Sequence, residues 1–398
     1  MYTKIVVFSS LFPSTAQPTA GVFVRERMFN VAKQLDLCVV SPKPWFPFQG
    51  LLRFFKPHFR PCVAAHEVQS GIDVFQPKYF SFPSVFKRWD GFLMALGAWR
   101  TLRKLHRQHR IDLIDAHFTY PDGYAATLVG QWLGVPVTIT MRGTEHRHSK
   151  DKVLCKHMQT AWHRAVHIFS VAEDLCHLAR RFGVPHGKLQ VVGNGVDLDK
   201  FKRINKNVAR IALGLHRDDV VLISVGGLVE RKGFHRVIEI MPELTAAFPT
   251  LRLLIVGGAT AEGNNRDQLE QQVKNLKMTA HVQFLGPKPH DKLAEVLSAA
   301  DVFVLATSNE GWANVFLEAM ACGLPVVTTD VGGNKEVVMS EDYGLVVPFG
   351  DKSALLHAIL NAVQTQWNTQ KIMQYAKNNS WHQRVQTLIL KFKEIIHE

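Results

Sequence analysis

The sequence predicts an α/β protein built from two similar domains. Two observations predict this class: short apolar strands alternate with helical segments, and the same rhythm starts again after the turn-rich segment 193–197 (GNGVD). Alternation of this kind favours a parallel sheet covered by helices on both faces. A chain of 398 residues is long enough for two such domains. We place them at residues 1–185 and 186–380, and we expect the terminal helix 381–398 to join the first.

The individual elements follow from the spacing of apolar residues. Runs that are mostly apolar and often β-branched predict strands, and apolar residues at intervals of three and four predict helices. The predicted strands are 4–9, 37–41, 113–117, 135–141, 220–225, 251–256, 281–285, 302–306 and 325–329. The predicted helices are 22–34, 93–108, 121–133, 234–248, 266–276 and 381–396.

Cysteine usage and apolar run lengths exclude several classes of protein. The five cysteines are widely separated and form no C-x-x-C pair, so neither a disulfide scaffold nor a zinc cluster is expected, and a reducing cytoplasm is the simpler setting. The apolar run at residues 5–8 is too short for the core of a signal peptide. Since no apolar stretch reaches about 18 residues, no transmembrane helix is expected.

The excess positive charge lies in the first half of the chain. The formal net charge is +13; residues 1–184 carry 24 Lys and Arg against 12 Asp and Glu, whereas residues 185–398 carry 23 against 22. A basic domain suggests an anionic partner surface, either nucleic acid or lipid headgroups. The alternative is a soluble basic face without a partner.

Two segments of the first half mix aromatic with basic residues. They are 44–60 (PWFPFQGLLRFFKPHFR) and 79–89 (YFSFPSVFKRW). This composition is typical of a membrane interface, where rings lie at the headgroup level and cations meet anionic lipid. The alternative is a core segment flanked by surface cations. Aromatic rings could also stack on single-stranded nucleic acid, but no nucleic-acid module accompanies them, so we expect an anionic membrane surface and no nucleic acid.

A pair of glutamates stands at a predicted junction between a strand and a helix. Glu310 and Glu318 follow the strand 302–306, and α/β proteins bind ligands at the carboxyl ends of their strands. Gly311 lets a ligand approach the backbone, while the free N–H groups of a helix start suit a phosphate. Glu318 points to the same end of this site only if the helix begins near Asn314.

A second cluster, residues 224–234 (SVGGLVERKGF), joins glycines to two adjacent cations. Gly226 and Gly227 let the backbone approach a ligand. Arg231 offers a planar fork and Lys232 a point charge, so together they can neutralise a diphosphate. The spacing does not fit G-x-x-x-x-G-K-[ST], which disfavours a P-loop ATPase. Because two cations at a helix start oppose the helix dipole, an anionic ligand is favoured over a surface pair.

Four segments resemble, in order, the motifs of the retaining glycosyltransferases of family 4. Residues 192–201 (VGNGVDLDKF) resemble the N-G-V-D…F linker signature of that family, and residues 226–233 resemble its G-R-L…K-G phosphate loop. Residues 282–286 (VQFLG) resemble its V-x-F-x-G nucleotide-base segment, and residues 310–318 its E-x7-E donor motif. The resemblance covers the whole second half and, more loosely, the first. It implies the GT-B fold, in which two Rossmann-like domains face a cleft.

The resemblance also implies roles for the matching residues. Glu310 would contact hydroxyls of the donor sugar and Glu318 the ribose of the nucleotide, while Arg231 and Lys232 would hold the diphosphate. The residues implied to bind the donor are Gly21, Gly226, Gly227, Arg231, Lys232, Phe284, Leu285, Glu310, Gly311, Trp312, Asn314, Val315 and Glu318. Residues 117–123 (HFTYPDG) end a strand of the first domain, and we expect their polar groups to face the cleft from the acceptor side. We therefore place Arg25, Tyr120 and Asp122 on the acceptor side, and Glu310, Arg231, Lys232, Arg142 and His117 in catalysis.

This chain departs from the family pattern at two positions. The family commonly has Arg after the first glycine of the phosphate loop, where this chain has Gly227, and a His-Gly pair after a strand of the first domain, where it has Arg142 followed by Gly143. We hypothesise that Arg142 supplies the positive charge near the leaving phosphate that Gly227 does not. The alternative is a structural ion pair of Arg142 with Glu145 or Asp122.

Together these features predict a retaining glycosyltransferase that moves a sugar from a nucleotide-diphosphate sugar to a carbohydrate or lipid-linked acceptor. No clustered His and Asp pattern suggests a metal, and cationic phosphate binding makes one unnecessary, so no cofactor is expected. The basic, aromatic first domain fits a cytoplasmic protein peripheral on the inner face of the plasma membrane, acting in bacterial exopolysaccharide or cell-wall polymer synthesis. The alternatives are a sugar-nucleotide epimerase of the same fold class and a non-catalytic protein that binds nucleotide sugars.

Overall fold

The computed structural model describes residues 4–18, 20–55, 59–83, 85–260 and 262–397. Lys56 of the first aromatic segment and Ser84 of the second therefore lie outside the described residues. The chain divides into two compact units, Met1–Asn194 with Trp381–Glu398, and Gly195–Ser380. The first unit extends past the boundary expected at residue 185 because the strand Leu189–Val191 pairs with its sheet.

The described residues contain strands and helices in nearly regular alternation. The strands are β1 (Lys4–Phe8), β2 (Asp36–Val40), β3 (Lys43–Trp45), β4 (His66–Gln69), β5 (Ile72–Phe75), β6 (Lys78–Phe80), β7 (Leu113–His117), β8 (Val137–Met141), β9 (His167–Ser170), β10 (Leu189–Val191), β11 (Val220–Val225), β12 (Leu251–Val256), β13 (Val282–Gly286), β14 (Val302–Leu305), β15 (Val326–Thr329) and β16 (Gly344–Val347). The helices are α1 (Val22–Ala32), α2 (Gln49–Phe55), α3 (Asp90–His109), α4 (Tyr124–Leu133), α5 (Glu145–His148), α6 (Lys152–Arg164), α7 (Glu173–Arg181), α8 (Lys206–Ala212), α9 (Phe234–Glu239), α10 (Met241–Ala247), α11 (Arg266–Asn275), α12 (Leu293–Leu297), α13 (Asn314–Ala321), α14 (Asn334–Val337), α15 (Lys352–Gln364), α16 (Thr369–Asn378) and α17 (Trp381–His397).

In the first unit β3 and β6 form a separate parallel pair, and the other eight described strands form one sheet in the order β10-β9-β8-β7-β1-β2-β5-β4. Its pairs are parallel except β4 with β5, which are antiparallel. Ser70 and Gly71 join these two strands with φ values of 51° and 80°, and two left-handed residues in succession are typical of a tight hairpin. Strand β1 lies between β2 and β7, so the order of strands reverses beside it. The carboxyl ends of β1 and β7 therefore border a crevice suited to a ligand.

The terminal helix α17 packs in the core of the first unit. Its residues Trp381, Val385, Leu388, Ile389 and Phe392 are buried in one cluster with residues of α1 and β1. These positions recur at helical spacing and form one apolar face. The predicted helix at 381–396 is therefore observed, and its apolar face has a partner.

In the second unit the described strands form a six-stranded parallel sheet in the order β13-β12-β11-β14-β15-β16. The strands β11 and β12 are almost wholly buried, as expected of parallel strands covered on both faces. The chain runs from β11 outward to β13 and then crosses to β14 on the other side of β11. This reversal places the loops that follow β11 and β14 side by side, and these loops carry the two clusters singled out in the sequence.

Every helix of the described residues is either too short or too polar to cross a membrane.

Candidate functional site

The loops after β11 and β14 are bonded to each other at the reversal point of the second unit. The backbone oxygen of Arg231 accepts hydrogen bonds from Ser308 N at 2.7 Å and from Thr307 Oγ1 at 2.9 Å. Gly233 has a φ of 75°, and a β-carbon there would lie only 1.8 Å from the backbone oxygen of Ala306. Glycine is therefore required at this position for the two loops to approach. Their contact holds the predicted cations beside the end of β14.

Glu310 lies between these two cations. Its Oε1 is 2.5 Å from Lys232 Nζ and 3.2 Å from Arg231 Nη1, and it accepts a hydrogen bond from Thr307 Oγ1 at 3.3 Å. The Glu310 side chain is only 9% exposed, so its charge needs these partners. Behind it Gly332 is so close that a β-carbon there would lie 1.7 Å from the Glu310 backbone oxygen. The structure thus brings together three residues that the sequence predicted to act in catalysis.

Arg231 has a second carboxylate partner, Glu262, which sequence reasoning missed. The guanidinium Nε lies 2.7 Å from Glu262 Oε2 and Nη2 lies 3.0 Å from Oε1, which is the bidentate geometry of a strong Arg–carboxylate pair. This hydrogen bonding, reinforced by the charge of Glu310, raises the pKa of Arg231. Glu262 lies in the loop after β12. An acid at the carboxyl end of the neighbouring strand was the signal that could have identified it.

Glu318 belongs to the same end of the sheet. Helix α13 begins at Asn314, as the expected orientation of Glu318 requires. Ala313 precedes the helix and offers no polar side chain to its first N–H groups. Glu318 is buried, and its Oε1 lies 3.0 Å from His290 Nε2. The ring of His290 packs edge-on against Phe201 of the linker signature, with centroids 5.0 Å apart.

The glycines of the phosphate loop pack against the loop that follows β12. A β-carbon at Gly227 would lie 2.3 Å from Thr260 Cγ2, and one at Gly257 would lie 1.8 Å from the backbone oxygen of Gly226. The arginine that the family commonly carries at the position of Gly227 would therefore collide with Thr260. The absence of a side chain at residue 227 is thus compatible with this close approach of the two loops.

The remaining residues predicted to bind the donor lie around these loops. Phe284 and Leu285 are half-buried at the end of β13, with the Arg266 guanidinium carbon 5.8 Å from the centre of the Phe284 ring. Gly311, Trp312, Asn314 and Val315 are half-buried at the start of α13. Gly21 lies in the other unit and precedes α1 with a φ of 70°.

In the first unit His117 and Arg142 contact each other at the ends of β7 and β8. His117 Nδ1 accepts hydrogen bonds from Arg142 Nε at 3.0 Å and Nη2 at 2.8 Å. Arg142 Nη1 donates to Asn194 Oδ1 at 3.1 Å, and its guanidinium lies 5.0 Å from the centre of the Phe23 ring. Both side chains are nearly inaccessible to solvent. The two residues predicted to act in catalysis in this unit thus form one buried group.

The partner on the other side of His117 is Asp115. Its Oδ2 lies 3.3 Å from His117 Nε2, and its Oδ1 accepts a hydrogen bond from Thr138 Oγ1 at 2.8 Å. Burial, together with the charge of Arg142, lowers the pKa of His117 to about 4. His117 is therefore neutral near pH 7. Because Nδ1 accepts from Arg142, the ring proton is on Nε2, which makes no hydrogen bond among the described residues. Sequence reasoning missed Asp115, although residues two apart on a strand share one face.

The ion pair weighed as the alternative role of Arg142 is absent from the described residues. Glu145 instead accepts hydrogen bonds from Gly143 N at 2.7 Å and Thr119 Oγ1 at 2.8 Å. Asp122 accepts hydrogen bonds from the backbone and hydroxyl of Ser10, the latter at 3.1 Å. Glu145 therefore joins the loops that follow β7 and β8, and Asp122 holds the loop that follows β1.

Two of the three residues predicted on the acceptor side have buried structural partners. The Tyr120 hydroxyl donates to Lys87 O at 2.7 Å and accepts from Gly91 N at 3.3 Å. Asp122 is fully buried, which raises its pKa to about 7. Arg25, the third, is half-buried on α1. The contacts of Tyr120 and Asp122 favour roles in shaping the loops over direct contact with an acceptor.

Among the described residues, no group of three or more His, Cys, Asp or Glu side chains could hold a metal ion.

Comparison with known proteins identifies the family of the chain. Residues 205–379 match the family model of glycosyl transferases group 1, and residues 34–200 match that of glycosyltransferase family 4. The chain is 29% identical over 357 residues to TuaC of Bacillus subtilis, named as a teichuronic acid biosynthesis glycosyltransferase, with 87% of this chain and 85% of TuaC covered. It is 28% identical to a D-inositol 3-phosphate glycosyltransferase of Corynebacterium urealyticum, over 73% of each chain.

Solved structures show the same fold. Sucrose-phosphate synthase of Thermosynechococcus elongatus matches with a TM-score of 0.73 and 21% identity over 99% of this chain and 98% of its own. HepE of Anabaena, solved in complex with UDP, matches with a TM-score of 0.73 and 17% identity over 98% of this chain and 100% of its own. The two family models cover most of both halves, and the relatives are named as glycosyltransferases. On these grounds the chain belongs to the family 4 glycosyltransferases, has their GT-B fold and is a glycosyltransferase.

Proposed function

We propose that this glycosyltransferase takes its sugar from a nucleotide-diphosphate sugar and transfers it, with retention of anomeric configuration, to a carbohydrate or lipid-linked acceptor. The observation that carries the proposal is the cluster of Arg231, Lys232 and Glu310 at the reversal point of the second sheet, beside the start of α13. Paired cations and the N–H groups of a helix start are suited to a diphosphate. The relatives do not favour an epimerase or a non-catalytic binding protein, because they are named as glycosyltransferases.

In this proposal the second unit binds the donor and stabilises the departing diphosphate. Lys232 and Arg231 neutralise the charge that develops on the leaving phosphate, which lowers the barrier only if both are already in position. Glu310 keeps them there before the donor binds and then contacts hydroxyls of the sugar. Glu318, held by His290 in the free protein, takes the ribose of the nucleotide. No cofactor is part of the scheme.

In the first unit we assign a direct role in the reaction to Arg142, and we assign to His117 the role of positioning the Arg142 side chain. Arg142 is the cation, and the neutral His117 accepts two of its hydrogen bonds and so fixes the plane of the guanidinium. A histidine with a pKa of about 4 has no proton on Nδ1 to give near neutral pH. This assignment changes the role of His117 from an active group to a positioning residue.

The donor proposal is tested by incubating the full chain with a panel of UDP-, GDP- and ADP-sugars and measuring release of nucleoside diphosphate. We expect slow release from at least one donor, and a loss of about 100-fold for Lys232→Ala. The matched control is Lys371→Ala, which removes an exposed lysine paired with Asp342 at 2.7 Å in the same unit. The proposal fails if no donor is hydrolysed or bound, or if the two variants behave alike.

We further propose that the first unit binds an anionic membrane surface, consistent with a lipid-linked acceptor in bacterial exopolysaccharide or cell-wall polymer synthesis. The aromatic residues are the support: Phe48, Phe54, Phe86 and Trp89 are 84%, 82%, 68% and 61% exposed. Rings exposed to this extent beside basic residues suit a membrane interface, where rings lie at the headgroup level. This association would place the protein on the inner face of the plasma membrane.

The basic residues of the aromatic segments divide into two kinds. Arg53 donates to Arg60 O of its own segment at 2.6 Å, and Arg60 donates to Ser81 O of the other aromatic segment at 2.6 Å. Their guanidinium groups stabilise the two segments through these hydrogen bonds and are therefore not the cations expected to bind lipid headgroups. The cations suited to lipid headgroups are the exposed ones near α3, namely Arg88, Arg100, Arg103, Lys104 and Arg107.

Flotation with liposomes that contain anionic lipid tests this association. We expect the full chain to float, and the double variant Phe48→Ser with Phe54→Ser to partition into the lipid at least about 100-fold more weakly, because burial of each ring contributes about 2 kcal/mol. The control is Ile211→Ser, which removes an apolar side chain that is 78% exposed in the other unit. Failure of the wild-type chain to float would overturn the membrane proposal and leave the donor proposal intact.

A further inference from the structure

The guanidinium of Arg231 is already occupied in the free protein. Glu262 takes Nε and Nη2 at 2.7 and 3.0 Å, and Glu310 takes Nη1 at 3.2 Å. A guanidinium has two edges that offer two parallel N–H groups: Glu310 takes Nη1 of the Nη1/Nη2 edge, and Glu262 occupies both groups of the Nε/Nη2 edge. A pair of phosphate oxygens can bind arginine in bidentate fashion through the Nε/Nη2 edge. A diphosphate that binds Arg231 in this way must therefore displace Glu262.

Glu262 and Glu310 differ in how readily each can move away from the Arg231 guanidinium. The Glu310 side chain is 9% exposed and is also paired with Lys232 at 2.5 Å, whereas the Glu262 side chain is 55% exposed. A carboxylate as exposed as Glu262 can turn to solvent, because water then hydrates the charge that leaves the guanidinium. Glu310 is held by both cations and by Thr307, so it remains in place.

The loop that carries Glu262 is held against the phosphate loop. Leu228 N donates to Gly258 O at 2.9 Å, and Asn265 N donates to Leu228 O at 2.6 Å. Within the loop Thr260 and Gly263 form two backbone hydrogen bonds, and Thr260 Oγ1 accepts from Glu262 N at 3.1 Å. The backbone of Glu262 is therefore fixed beside Arg231, and only its side chain has to move when a ligand arrives.

We propose that Glu262 is a displaceable counter-ion that competes with the diphosphate for Arg231 and so limits the affinity of the enzyme for its nucleoside diphosphate product. This inference rests on the proposed donor site. In the free enzyme Arg231 and Lys232 are balanced by Glu262 and Glu310. When the diphosphate is bound, Glu262 faces solvent and repels it; when the product leaves, Glu262 closes on Arg231 again. The pair thereby favours release of the product.

The test measures binding of UDP, GDP and ADP to the full chain by calorimetry, using whichever nucleotide the wild-type enzyme binds. Glu262→Gln keeps the size of the side chain and removes its charge. We expect this variant to bind the nucleoside diphosphate between about two- and fivefold more tightly. This range corresponds to the free energy that an exposed ion pair contributes. The control is Asp342→Asn, which removes one negative charge from an exposed pair with Lys371 in the same unit and should leave the dissociation constant unchanged.

Whether Glu262→Gln strengthens or weakens nucleotide binding distinguishes a competing counter-ion from a side chain that only supports the loop. A side chain that only supports the loop would weaken binding when replaced, so tighter binding is a result that a structural role does not produce. Unchanged or weaker binding in Glu262→Gln, with normal binding by the wild-type chain, overturns the inference but not the donor site. Absence of binding by the wild-type chain overturns the donor site itself.

Discussion

His117 accepts two hydrogen bonds from Arg142 through one ring nitrogen, at 3.0 and 2.8 Å. This contact joins a histidine at the end of β7 to the arginine at which the chain departs from the family pattern. Burial of the imidazole, together with the positive charge of the neighbouring guanidinium, lowers the pKa of His117 and keeps the ring neutral.

Replacing Arg142 with alanine should lower turnover far more than stability. Loss of a positioned cation lowers the rate about 100-fold, whereas the unpartnered Nδ1 of His117 costs about 1 to 3 kcal/mol of unfolding free energy. Initial rates of donor turnover and thermal unfolding measure the two effects. Arg180→Ala, which removes an arginine paired with Glu173, should leave the rate unchanged. A near-normal rate in Arg142→Ala would dispose of the catalytic assignment.

The protein should lose stability through His117 as the pH falls from about 6.5 to about 4. The pKa of His117 is lowered to about 4 in the folded state, so between these values the unfolded chain binds the proton and the folded chain does not. Stability therefore rises with pH in this window. His117→Gln removes the titration but keeps an acceptor for Arg142. Chemical denaturation at several pH values should give a shallower slope for the variant, by as much as about 1.4 kcal/mol per pH unit; parallel curves would contradict the assignment.

Asp122 should make the stability of the folded protein fall as the pH rises, which is opposite to the effect of His117. Burial raises its pKa to about 7, so between about pH 4 and 7 the folded chain binds the proton and the unfolded chain does not. This carboxyl therefore lowers stability as the pH rises through that window. Asp122→Asn can accept from Ser10 N and donate to Ser10 Oγ, which preserves both contacts. We expect the variant to be more stable than wild type at pH 8 by denaturant titration, and a destabilised variant would show that the carboxylate is needed.

Gly227→Ala should destabilise the second unit because its β-carbon would lie 2.3 Å from Thr260 Cγ2. Overpacking of this kind costs about 1 to 3 kcal/mol. Thr260→Ser removes the methyl group that would collide, so the double variant should recover most of the lost stability. Thermal unfolding of both single variants and the double variant forms a double-mutant cycle. Additive effects would mean that the methyl group of Thr260 is not the obstacle.

Most strands of both sheets could be predicted from the sequence, because buried parallel strands are continuous apolar runs. Strands β7, β11 and β12 have the predicted bounds. The predicted helix 234–248 is divided into α9 and α10 at Ile240, since Pro242 cannot continue a helix and begins a new one. The hairpin of β4 and β5 was not predicted, because its strands are short and half-exposed and resemble loops in composition.

The sequence by itself determined that Arg231, Lys232 and Glu310 follow strands that end at a ligand site, and it left the orientation of Glu318 conditional on a helix start near Asn314. These residues stand in short motifs at the ends of strands, and parallel strands bring such ends together whatever the details of packing. Only the tertiary structure decided which partner each charged group has. Glu262 reaches Arg231 from a third loop, and Arg142 selects His117 and Asn194 over Glu145 and Asp122. Those choices depend on distances between loops far apart in the chain, and buried charges are stable only where that geometry supplies a partner.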